Sequence, residues 1–110
     1  MEFLLAVGTD PEAADVFRRG NQLGGLEPGS LDSVMYFNMT QANLREWENS
    51  HYQYESGLFT ADEFEPRIQR WRRSMTFPGC RGVWARSREG FSPSFRTEVD
   101  RLVAEAEQAQ

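Results

Sequence analysis

The stretch from Trp47 to Phe95 constrains the fold more than any other, because apolar residues at helical spacing alternate there with helix stop and start signals. It reads WENSHYQYESGLFTADEFEPRIQRWRRSMTFPGCRGVWARSREGFSPSF. Gly57 stops one periodic run. Thr60-Ala61-Asp62-Glu63 then fits a capping box, in which the Thr hydroxyl and the Glu carboxylate each satisfy an orphan backbone N–H of the next helix. So short a connection predicts an antiparallel helical hairpin. Pro66 falls inside the second arm, where it removes a donor and crowds the preceding turn, so a kink or an irregular first turn is expected. Ile68, Trp71 and Met75 carry the stripe on to Phe77-Pro78-Gly79. A short helix follows over residues 80–88, with Val83 and Trp84 inward and Gly90 closing it.

The flanking segments obey the same rules. Ser30 to Ser56 holds neither proline nor glycine, and Val34, Phe37 and Leu44 with Met35, Met39 and Ala42 recur at helical spacing, which predicts one helix of about seven turns. Asp10-Pro11-Glu12 is a helix start with a side-chain cap and a proline in the first turn. Val16 and Phe17 mark its apolar stripe, Gly20 its end. Residues 21–30, with Gly24, Gly25, Pro28 and Gly29, form the loop. Ser92-Pro93 opens a last helix whose Phe95, Val99, Leu102 and Ala106 share one face. Residues 1–9 and 105–110 are expected to fray.

No repeat and no strand-like alternation occurs. The expected fold is therefore all-α: a compact bundle of four or five helices in one domain, residues 1–110, with the helix over residues 30–56 as its spine. Trp47, Trp71, Trp84, Phe91 and Phe95 are its expected anchors. A chain of this length hides roughly two thirds of its unfolded surface on folding. With 13% aromatic residues it needs no metal or disulfide to offset ordering entropy.

The single cysteine, Cys80, cannot close an intrachain bridge, which points to a reducing, cytoplasmic setting. The opening MEFLLAV is too short for a signal-peptide core or a membrane span. All 12 basic residues are arginine, and seven of them lie between Arg67 and Arg88 with no acid among them. That segment could meet acidic neighbours within the bundle, or bind lipid headgroups or nucleic acid. A pI near 4.9 and the lack of any nucleic-acid motif argue against nucleic acid.

No catalytic, metal-binding or phosphate-binding signature is complete, and no cofactor is expected. The densest polar cluster is Glu48, Asn49, His51, Tyr52 and Tyr54 with Trp47, on two turns of the long helix. Trp47, His51 and Tyr54 share one face, and Glu48 and Tyr52 the adjoining one, so a pocket opposite them could present a carboxylate, an imidazole and phenols. The alternative is a buried network closed by Arg70 or Arg73 on Glu48. Glu48-x-x-His51 has the ligand spacing of bundle di-iron sites, but a lone histidine could complete one only across a symmetric dimer. Cys80, after Pro78-Gly79 and before Arg81, is either a reactive thiol or a small buried residue, and no nucleophilic arrangement completes it. Asn38-Met39-Thr40 is a glycosylation sequon placed in mid-helix, with no secretion signal.

The runs WENSHYQYESGLFTADEF, RWRRSMTFPGCRGVW and FSPSFRTEVDRL resemble a group of bacterial proteins of unassigned function, in which an N-terminal membrane-spanning helix precedes a small helical domain. The likeness spans residues 10–103 and is most specific at Glu48-Asn49, Tyr52, Tyr54, Gly57-Leu58, Pro78-Gly79, Trp84, Phe91-Ser92-Pro93, Phe95 and Val99-Asp100. It implies a fold and a link to the inner membrane through a segment this chain lacks, not an activity. The expected function is a non-enzymatic interaction or sensory module whose partner is another protein or a second copy in a homodimer.

Overall fold

The computed structural model describes residues 10–22 and 24–109, which fold into helices and short turns without a strand among them. Five α-helices follow in order: α1 (Pro11–Gly20), α2 (Leu31–Glu55), α3 (Ala61–Ser74), α4 (Pro78–Ser87) and α5 (Pro93–Gln108). A 3-10 turn, Arg88–Gly90, links α4 to α5. The all-α architecture with one long central helix is as expected. The fraying expected of residues 1–9 lies outside the described residues.

Local chemistry sets the helix starts. Asp10 accepts the N–H of Glu12, Ser30 that of Ser33, and Ser92 that of Phe95. Thr60 and Glu63 exchange both bonds of the capping box. Pro66 does not divide α3, which runs unbroken to Ser74. The tail expected to fray from residue 105 continues as helix through Gln108, because Ala106 is buried and Glu105 meets Arg72 and Arg101.

The spine α2 contacts α1, α3, α4 and α5, and the core is continuous from Val16 at one end to Leu102 at the other. Phe95 is its hub: fully buried, with Trp71, Trp84, Phe91 and His51 within 6.0 Å, ring centre to ring centre. All five expected anchors are buried. The inward stripe of α2 differs from the expected one. Tyr36, Met39, Thr40, Leu44 and Trp47 point into the core, while Val34, Met35 and Ala42 face outward.

Two glycines explain how α1 docks on α4. The Gly79 N–H donates to the Asn21 carbonyl at 3.0 Å, and a Cβ on Gly79 would lie 1.7 Å from the Gly20 oxygen. Gly20 itself receives the Tyr36 ring where a side chain would stand. The Tyr36 hydroxyl then donates to Asn21 Oδ1 at 2.7 Å, a buried bond that fixes the start of the loop against α2. At the other end, Arg88 forks onto Asp100 while the Trp84 indole donates to the same carboxylate, which clasps α4 to α5.

Candidate functional site

The cluster on the last turns of α2 is divided by helix geometry between core and surface. Trp47 is buried with its ring centre 5.8 Å from that of Trp71. One turn on, His51 enters the aromatic core between Phe64 and Phe95. Tyr54 stacks flat on Phe64 at 4.1 Å and keeps its outer face exposed. Asn49 and Tyr52 face solvent.

His51 reaches the start of α5. Its Nε2 lies 3.0 Å from Ser94 Oγ and 3.3 Å from Glu55 Oε1, and Ser94 donates its own hydroxyl proton to Glu55 Oε2 at 2.7 Å. With that proton committed, Ser94 can only accept from the ring, which assigns the imidazole proton to Nε2. Nδ1 is buried without a hydrogen-bond partner among the described residues. A serine activated by histidine needs the reverse: an unprotonated Nε2 facing the hydroxyl and an acid on Nδ1. This Ser-His-Glu contact therefore ties α2 to α5 and does not prepare a nucleophile.

Glu48 makes the parallel tie one turn earlier. Its Oε2 accepts the N–H of Ser92, the cap of α5, at 2.8 Å, and its Oε1 meets Arg45 at 3.2 Å. Arg45 also donates to the Gly90 carbonyl and lies 4.0 Å over the Phe91 ring. The arginine expected on Glu48 was Arg70 or Arg73. The fold supplies Arg45 because it stands one turn away on the same helix. Arg70 and Arg73 are exposed on α3 with no carboxylate partner among the described residues.

Glu48 and His51 thus address different residues, Ser92 and Ser94. Among the described residues no group of three or more His, Cys, Asp or Glu side chains converges as a metal set would. What the cluster leaves open is a shallow cavity of about 280 Å³ bounded by Arg45, Glu48, Asn49, Tyr52 and Ser92. It gathers the carboxylate and one phenol of the expected set, but neither His51 nor Tyr54. Ser94, Glu55 and Arg45 were not singled out from the sequence. The i,i+4 and i,i−3 spacings of Glu55 and Arg45 could have marked two of them.

The remaining candidates divide similarly. Cys80 is buried, and burial pushes its thiol up to about 12 despite Arg81 beside it, so the reactive alternative loses its thiolate. Most of the arginine segment is engaged inside the fold: Arg67 on the Glu63 carbonyl and the Phe59 ring, Arg72 on Glu105, Arg81 on the Met75 carbonyl, Arg88 on Asp100. Among the described residues no helix is long and apolar enough to cross a membrane. No family model, curated protein or solved structure matches the chain significantly.

Proposed function

We propose that this chain is a non-enzymatic interaction module that pairs with a second copy of itself through the outward face of α2. One observation carries the reading. Leu31, Met35, Asn38, Ala42, Arg45, Asn49 and Tyr52 follow one another at alternating steps of four and three, the 3.5-residue period of a coiled-coil seam, and all seven are exposed. Leu31 is 79% exposed and Tyr52 67%, values that buried neighbours in the same helix do not approach. Arg45 is the one charged side chain in the seam, and its guanidinium is turned onto Glu48, Gly90 and Phe91.

The seam favours an antiparallel, two-fold pairing centred on Ala42. That arrangement sets Leu31 of each copy against Tyr52 of the other and Asn38 against Arg45, with the small Ala42 side chains letting the helices approach at the axis. A parallel pairing would oppose Arg45 to itself and align the two helix dipoles unfavourably. Asn38 and Asn49 in the seam make the association weak and reversible, since polar seam residues specify register at a cost in stability. Sedimentation velocity over rising concentration should show a monomer passing into a dimer. Met35→Glu should hold the protein monomeric with an unchanged melting temperature. A single monomeric species up to millimolar concentration contradicts the proposal.

The proposed setting, from the resemblance alone, is the inner face of a bacterial membrane. A second reading, anion binding, has Arg70 and Arg73 behind it, since neither meets a carboxylate among the described residues. It predicts binding to acidic vesicles that falls steeply with salt and is lost in the doubly substituted Arg70→Gln, Arg73→Gln protein.

A further inference from the structure

Between the first half of α2 and α4 runs an open groove made of two cavities, about 320 and 250 Å³, that share Ser33 and Arg86. Leu26, Phe37, Pro78 and Val83 supply most of its apolar lining, and Gln22, Ser33 and Tyr36 line it too. Two features of α4 set it apart from an ordinary surface crevice. Gly82 sits in mid-helix, where glycine is less favourable than alanine, yet among the described residues no atom from outside its own helix backbone lies within 4 Å of where its Cβ would stand. Unlike Gly20 and Gly79, it answers no close approach among the described residues. The space it leaves belongs to the groove.

The second feature is Arg86, one turn further along the same face. Its guanidinium lies over the Phe37 ring at 5.0 Å and has no carboxylate partner among the described residues, although the chain carries 17 acids against 12 bases. A contact with a ring leaves guanidinium N–H groups available to take a carboxylate in a fork. A mainly apolar groove, a helix position kept without a side chain, and at its rim a cation with no carboxylate partner among the described residues describe complementarity to a molecule with an apolar body and an anionic end.

We infer that this groove binds a small amphipathic carboxylate, its head on Arg86 and its apolar body lying past Gly82 over Phe37 and Val83. The site is separate from the α2 seam and does not depend on self-association. Octanoate is a suitable probe and octan-1-ol its uncharged control. In two-dimensional amide NMR, octanoate should produce saturable shifts at Gly82, Val83 and Phe37, and octan-1-ol should bind at least tenfold more weakly. Arg86→Gln should abolish the difference between the two probes. Gly82→Phe should block both while keeping the helical circular dichroism and melting temperature of the parent, because its side chain projects into open space. Gly82→Ala, with a smaller intrusion, should weaken octanoate and provides the check if the larger variant fails to fold. Non-saturating shifts, equal affinity for acid and alcohol, or octanoate binding undiminished in the folded Gly82 variants would each overturn the assignment.

Discussion

Phe95 has no solvent exposure and joins α5 to the aromatic residues of α2, α3 and α4. Its replacement by alanine should therefore cost about 3–5 kcal/mol, a large share of the 5–15 kcal/mol typical of a domain. Urea unfolding of Phe95→Ala would check it, with a midpoint unchanged from the parent as the contrary result. Cys80 is a different kind of buried group. With its thiol pushed up to about 12 by burial, it should stay unmodified by a disulfide reagent at pH 8 until the chain unfolds. Labelling as fast as that of free cysteine would contradict its placement. Single residues were also where the sequence was hardest to read. The partner of Glu48 is a backbone N–H at Ser92, 44 residues away, and no periodicity announces such a contact. Tyr36, an unpromising core residue by composition, is buried because Asn21 waits across the loop for its hydroxyl.

Helix boundaries, by contrast, were largely legible, since caps and stops are local chemistry. Asp10, Thr60 and Ser92 act as the expected caps, and Ser30 caps α2 in the same way. The inward side of α2 was not legible, because apolar residues lie on both faces: Met35 and Ala42 point out where Tyr36 and Thr40 point in. A periodic count cannot tell a core stripe from an interface stripe. Element docking makes two predictions. Alanine at Gly79 meets the Gly20 carbonyl, so Gly79→Ala should destabilise by on the order of 3 kcal/mol, whereas the same change at Gly82 in the same helix should stabilise slightly. Equal thermal shifts for the two variants would show that α1 does not dock on α4 as described. The α4–α5 clasp is pH-dependent. Burial alone would raise the Asp100 carboxyl, but bonds from Arg88 and Trp84 outweigh it and hold the group below its ordinary range. A carboxylate depressed in the folded state stabilises above its unfolded pKa and loses that contribution as pH falls through the folded one. Asp100→Asn should cost about 1 kcal/mol near neutrality, a figure kept small by solvent screening, and should flatten the loss of stability below about pH 5. Melting temperatures across that range would test it.

At the scale of the whole molecule, the fold class was accessible because five helical segments, four of them opened by a capping side chain and one by Pro78, leave a chain few ways to bury three tryptophans. Which surface remained unpartnered was not, since it depends on how α1, α3, α4 and α5 distribute themselves around α2. Once they are in place, they cover one side of the spine and leave a continuous seam on the other, from Leu31 to Tyr52. The proposed function rests on that division. It is tested most directly by cysteine cross-linking in a Cys80→Ser background, with one new cysteine at Ala42 or at Leu31. An antiparallel pair centred on Ala42 predicts rapid disulfide-linked dimer for Ala42→Cys and little for Leu31→Cys, whose counterparts lie at opposite ends of the seam. Efficient linkage through Leu31→Cys, or none through Ala42→Cys at concentrations where the protein sediments as a dimer, would contradict it.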